Sequence, residues 1–218
     1  MNIFDIIGPV MVGPSSSHTA GAARLGNVVG RLLGEPVQKA NIVLYESFAK
    51  TGKGHGTDKA IVGGLLGLTP DDSRLPDSFL LAERAGMNFE IVFSDQRRDH
   101  PNTAEIALTG KSRQIMAAGI SVGGGRIEVT QINGLDVSIK ADYHTLVVFN
   151  SDQCGVAAHV TRLLAEGKIN IAFMRLSRRE EGKDAVMVIE TDQEIPLPVL
   201  QSVRALENVS DVVYIEPF

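Results

Sequence analysis

Four short segments hold the residues that could do chemistry. Ser15-Ser16-Ser17-His18-Thr19 places four hydroxyls and an imidazole just before Ala22, Leu25, Val29, Leu32 and Leu33, whose apolar spacing predicts a helix from about Thr19 to Leu33. A helix N-terminus exposes unpaired N–H groups and partial positive charge, which suits a small carboxylate or phosphate. The same residues also suit plain capping by Ser17 or Thr19. Lys50–Asp58 sets His55 among Gly52, Gly54 and Gly56, beside Lys53. Glycines let a ligand approach the backbone, and an imidazole titrating near neutrality suits a general base. This is not a phosphate-binding Walker loop, because Gly54 follows Lys53 where Ser or Thr is required. The plainer reading is a strand-to-helix turn capped by Thr57 or Asp58. His100-Pro101-Asn102-Thr103 offers donors for a carboxylate on a proline-fixed backbone, or is a polar turn. Ser121-Val122-Gly123-Gly124-Gly125 reads either as an anion-binding turn or as a hairpin.

The rest of the chain narrows the chemistry. It has 218 residues, 44% hydrophobic and 22% charged, with a net charge of −5. One or two domains with a real core follow from that length. With no Trp, three Tyr and a net acidic balance, neither base stacking nor phosphate-backbone binding has support. No apolar run is long enough for a membrane helix. The first apolar stretch is broken at Gly8-Pro9 with no basic residues ahead of it, so a signal peptide is not expected and the cytoplasm is the expected location. The single cysteine, Cys154, excludes an internal disulfide, a zinc knuckle and a complete four-thiolate iron–sulfur site. Any cluster this protein uses must be held mainly by another chain.

The elements that must position these residues fall into two organisations. Up to about residue 142 the sequence predicts a strand at Ile42–Phe48, a helix at Asp58–Leu66 and another at Pro76–Arg84. Strands follow at Phe89–Ser94, Ala104–Thr109, Ile115–Val122, Ile127–Gln131 and Val137–Lys140, an antiparallel sheet with helices on one side. From about residue 145 the order is βαββαβ. Its strands are Leu146–Asn150, Ile169–Ser177, Ala185–Thr191 and Val209–Ile215, with helices at Val156–Leu164 and after Pro196, a ferredoxin-like split. His144 reads as a linker residue, His159 as helix surface, and Cys154 as a half-buried residue at a helix start.

With the four segments in this order, the chain resembles the β subunit of bacterial iron–sulfur-dependent L-serine dehydratase, the L-serine ammonia-lyase. Leu146–Phe218, with Asn150–Val156, resembles an ACT domain. Residues 1–142 also resemble the allosteric substrate-binding domain of some phosphoglycerate dehydrogenases. The resemblance implies an α+β chain of two domains, 1–142 and 145–218, acting on L-serine to give pyruvate and ammonia. It implies a 4Fe-4S cluster whose cysteines lie in an α subunit, with no metal ligand from this chain. His55 is then the candidate base or substrate orienter, with His18 its companion. Lys53, Gly54 and Gly56 would shape the pocket, and Ser15, Ser16, Ser17 and Thr19 would receive the serine carboxylate or border the cluster. His100 and Asn102 are further candidates. An alternative is a non-catalytic regulatory subunit that binds L-serine or another amino acid. The ACT domain's ligand stays open among an amino acid, a metal ion such as potassium and another ACT domain, the last as a homodimer contact.

Overall fold

The computed structural model describes residues 10–218, so the break at Gly8-Pro9 lies outside the described residues. By its contacts the chain divides into two units, one ending at Gly134 and one running from Leu135 to Phe218.

In the first unit, a π-helical turn at Ser16–Gly21 runs directly into α1 (Ala22–Leu33). Then come β1 (Lys39–Tyr45), α2 (Glu46–His55), α3 (Thr57–Leu65), α4 (Ser78–Arg84) and β2 (Asn88–Ser94). Strands β3 (Thr103–Thr109), β4 (Gln114–Gly123) and β5 (Arg126–Ile132) follow. The strands lie in the order β2-β1-β3-β4-β5. β1 pairs with β2 in parallel and with β3 antiparallel, so the sheet is mixed and not antiparallel as expected. The cause is the crossover: α2, α3 and α4 carry the chain back to the start of the sheet before β2 begins. Alternate strand residues, among them Ile42, Leu44, Ile106, Leu108, Ile127 and Val129, are buried, and α1 packs against β3, β4 and β5.

Helices α1 and α3 approach closely because both present glycine at the contact. A Cβ on Gly26 would stand 2.3 Å from the Ile61 carbonyl oxygen, and one on Gly64 would stand 2.1 Å from that of Ala23. The pair forms a rigid block behind the π turn.

The expected strand at Ile42–Phe48 ends instead at Tyr45, and the glycine-rich segment that follows is mostly helix. Two glycines, Gly52 and Gly54, at roughly 1 kcal/mol each disfavour a helix there. Tertiary contacts outweigh them: Phe48 is fully buried, and the Ser47 and Phe48 N–H groups both donate to the Pro101 carbonyl, at 2.9 and 3.4 Å. Only Gly56 breaks the helix, in a left-handed conformation at φ 69°, and α3 starts at once.

The second unit opens with β6 (Leu135–Ile139), whose Asp136 carbonyl accepts the Ser177 hydroxyl. Strand β7 (His144–Ser151), α5 (Val156–Glu166), β8 (Ile171–Arg178), β9 (Asp184–Thr191), α6 (Leu197–Arg204) and β10 (Val209–Ile215) complete it. Their sheet order is β10-β7-β9-β8, antiparallel throughout, which is the expected ferredoxin-like arrangement. Leu146, Val148, Val160, Leu164, Met187, Ile189, Val203 and Val212 form its core. His144 is not a linker residue: it begins β7, hydrogen-bonds the Tyr214 hydroxyl through Nδ1 and stacks on that ring. Cys154 is exposed, not half-buried, because it sits in the turn ahead of α5 and not in the helix. Among the described residues no helix is long and apolar enough to cross a membrane.

Candidate active site

The π turn is organised by Ser15. Its backbone is extended, its hydroxyl accepts the His18 N–H at 3.2 Å, and its carbonyl accepts the Thr19 N–H at 2.8 Å and the Ala20 N–H at 3.4 Å. The cap is therefore Ser15, not Ser17 or Thr19, which leaves the latter two for longer-range work. The Ser17 carbonyl accepts the hydroxyl of buried Ser121, at 2.9 Å. The Thr19 hydroxyl donates to the His55 carbonyl at 3.0 Å, satisfying an acceptor that the end of α2 leaves open. Ser16 is half-buried on the same turn.

His18 lies along α2. Its Nε2 is 3.0 Å from the Ser47 hydroxyl and its Nδ1 is 3.4 Å from that of Ser15. Its ring meets Phe48 edge-on at 5.3 Å and His55 edge-on at 5.1 Å, between centroids. Burial, and next the neighbouring His55, hold the His18 imidazole below its ordinary value, against an opposing backbone contribution from Ser47. His55 differs from its companion: its Nδ1 is buried with no hydrogen-bond partner, while both ring nitrogens of His18 face hydroxyls.

His55 also lies on the wall of a pocket of about 310 Å³. Gly13, Pro14 and Thr19 form one side of it, Lys53, Gly54 and Gly56 another, and Asp58 and Lys59 add charge from the start of α3. Its size is at the lower end of small-molecule sites, ~300–1,000 Å³. A Cβ at Gly54 or Gly56 would touch nothing within 4 Å, so the backbone there is open to a ligand. Lys53 holds its Nζ over the Phe93 ring, 5.0 Å from the centroid.

The other two segments support this site from behind. His100 Nδ1 accepts the Asn102 N–H at 3.1 Å, so in the neutral ring the proton is on Nε2. Asn102 donates its side-chain amide to the Ser121 carbonyl at 3.3 Å, and its own carbonyl accepts the Ser121 N–H at 3.1 Å. Neither His100 nor Asn102 is on the pocket wall, and neither are Ser15, Ser16, Ser17 and His18. Gly123, Gly124 and Gly125 all have positive φ and close the β4–β5 hairpin. The four segments thus form one hydrogen-bonded junction: Ser17 to Ser121, Ser121 to Asn102, Pro101 to Ser47, Ser47 to His18, and Thr19 to His55.

Ser47, Lys59 and the Tyr45–Arg98–Glu105 cluster were not marked by any motif. In that cluster the Tyr45 hydroxyl donates to Glu105 at 2.7 Å and accepts from Arg98 at 2.8 Å, and Arg98 also pairs with Glu105. A hydroxyl near the end of a predicted strand carries no signal of its own.

Comparison with known proteins follows the same division into units. A family model described as "Serine dehydratase beta chain" matches residues 2–98, and an "ACT domain" model matches residues 144–208. The chain is 42% identical over 211 residues to a Bacillus subtilis protein named "Probable L-serine dehydratase, beta chain", covering 97% of this chain and 96% of that one. The chain belongs to the L-serine dehydratase beta-chain family. The Peptoniphilus asaccharolyticus L-serine dehydratase beta chain is 34% identical, over 98% of this chain and 97% of its own. D-3-phosphoglycerate dehydrogenase of Bacillus subtilis is 26% identical over 89% of this chain, which spans 37% of that protein. The family match at 2–98 contains the π turn, α2 and every residue that lines the His55 pocket.

A four-thiolate iron–sulfur cluster does not fit the ligands of this chain. Its sole cysteine is exposed in the second unit, and among the described residues no three His, Cys, Asp or Glu side chains group as a metal site.

Proposed function

We propose that this chain is the β subunit of a heteromeric L-serine dehydratase that converts L-serine to pyruvate and ammonia. Its partner is a cysteine-bearing α subunit, which carries the 4Fe-4S cluster. The observation that supports this reading is His55: an imidazole on the wall of a small pocket, with a second imidazole 5.1 Å behind it and no partner on its buried Nδ1.

The pair handles one proton better than two. Each ring's charge opposes the other's, and His18 is already held toward its neutral form. His55 takes the proton from the substrate α-carbon, with the His18 ring edge-on behind it. Lys53 and Lys59 at the pocket attract the carboxylate, and Asp58 attracts the ammonium group. Gly54 and Gly56 let the substrate lie against the backbone. Pro14, Ala60, Leu75 and Pro76 supply an apolar lining that limits water around the proton transfer.

The likeness to D-3-phosphoglycerate dehydrogenase favours a second reading, since most of this chain has a counterpart in an enzyme named for another reaction. The same pocket would then bind L-serine as an effector. Anaerobic assay of pyruvate release separates the two, with the chain alone, the cysteine-bearing partner alone, and the mixture. Activity only in the mixture, lowered ~10²–10⁴-fold by His55→Ala, is the expected result. Full activity of the partner alone, or a His55→Ala mixture within about threefold of wild type, would assign this chain a regulatory role.

A further inference from the structure

The corner between β1 and α2 is built with strain. Glu46 has φ 40°, a left-handed conformation that side chains other than glycine seldom adopt, in a position where glycine would be the relaxed choice. Each of the three residues at the corner is tied to the same later segment. Tyr45 is held at its hydroxyl by Arg98, whose guanidinium also lies over the Tyr45 ring at 4.3 Å. The Glu46 carboxylate accepts the Arg98 N–H at 2.8 Å. The Ser47 N–H donates to the Pro101 carbonyl at 2.9 Å, while the Ser47 carbonyl accepts the Thr51 hydroxyl at 2.8 Å.

One product of this bracing is the position of the Ser47 hydroxyl, 3.0 Å from His18 Nε2. That contact joins residues 29 apart in sequence. Without it the ring would keep Ser15, at 3.4 Å, and its edge contacts with Phe48 and His55, none of which sets the ring's flip. A hydroxyl donates or accepts equally well, so Ser15 and Ser47 leave the tautomer open, but together they fix the plane and direction of the ring.

We propose that Ser47 is a positioning residue that holds the His18 imidazole in one orientation against His55, and that the Arg98–Asn102 segment clamps the strained Tyr45–Ser47 corner to aim it. Its catalytic meaning rests on the shared-site reading above; its structural meaning does not. The titratable group facing His18 is His55, at the far end of α2 from Ser47. The Ser15 and Ser47 hydroxyls and the Phe48 ring complete the surroundings that the contacts define.

The test uses the full chain labelled at histidine, which has five such residues, followed by NMR of the ring protons across a pH titration. His18 in the wild type should show one ring orientation, read from the contacts of its ring protons with those of Phe48 and His55. Ser47→Ala should average these contacts over more than one orientation, and Ser47→Thr, which keeps the hydroxyl, should restore them. In the assembled enzyme Ser47→Ala should lower kcat about fivefold to tenfold, the worth of one hydrogen bond, with KM for L-serine within about twofold. Unchanged His18 ring contacts in Ser47→Ala overturn the proposal outright. A changed orientation with unchanged kcat keeps the positioning but refutes its use in catalysis, while the shared-site reading is decided separately by the His55→Ala mixture. If Ser47→Ala does not fold, Ser47→Cys, which keeps the volume and weakens the hydrogen bond, is read in the same way.

Discussion

Thr19→Val removes the one hydroxyl that joins the π turn to the end of α2, and it changes almost nothing else. Valine matches threonine in shape, and Thr19 is only 4% exposed, so the perturbation stays local. What goes is the 3.0 Å bond to the His55 carbonyl. A neutral hydrogen bond is worth about 0.5–1.5 kcal/mol net, and an acceptor left without its donor costs about 1–3 kcal/mol. Because Val adds a methyl in place of the hydroxyl, about 0.8 kcal/mol of that returns as apolar burial. The expected loss is therefore about 1–2 kcal/mol for the first unit. Urea unfolding of the full chain would show it as a lower midpoint at unchanged slope. Hydrogen exchange should quicken first in peptides covering residues 46–56, while peptides from the second unit stay as they were. Thr19→Ser, which keeps the hydroxyl, should sit near wild type. If Thr19→Val and Thr19→Ser unfold at the same midpoint with equal exchange in α2, the idea that Thr19 anchors His55 is wrong.

Gly64→Ala should cost about 3 kcal/mol, the upper end for overpacking, because its Cβ would meet the Ala23 carbonyl oxygen at 2.1 Å and neither helix backbone can yield; denaturant midpoints measure it. His18 makes a pH dependence of defined sign. Its folded-state value lies below the unfolded value of about 6.5, so proton binding favours the unfolded chain. That stability is fully present above about pH 6.5 and is lost as the pH falls through the folded-state value. Midpoints measured near pH 8 and near pH 5 should therefore differ more for wild type than for His18→Gln, and equal differences would contradict the burial argument.

The second unit was the more legible in sequence. Val156, Val160 and Leu164 repeat at helical spacing, and Ile169–Ser177 alternates and pairs as a hairpin with β9, so local pattern defines βαββαβ. In the first unit the chemistry-bearing segments were legible as residue types, but their geometry was not. Lys50–Asp58 looks like a loop because Gly52, Gly54 and Gly56 weigh against a helix; Pro101, some fifty residues later, supplies the cap that permits one. The parallel pairing of β1 with β2 depends on three intervening helices and has no local signature. Ser47 became part of the site only through a contact with His18, and no spacing rule announces such a contact.

Both ends of α2 are gripped by neighbours in sequence, Ser47 by His18 and the His55 carbonyl by Thr19. The helix therefore serves as a spacer of fixed count. Exposed Lys50, Lys53 and Gly54 can change without altering its span, and Gly54→Ala would meet no obstruction within 4 Å. Adding or removing one residue is different: it turns His55 about 100° relative to Ser47 and moves it about 1.5 Å along the axis. One of the two grips must then open. Among relatives that keep this site, residues of α2 outside the pocket wall, such as exposed Lys50, should vary while the number of residues between Ser47 and His55 does not.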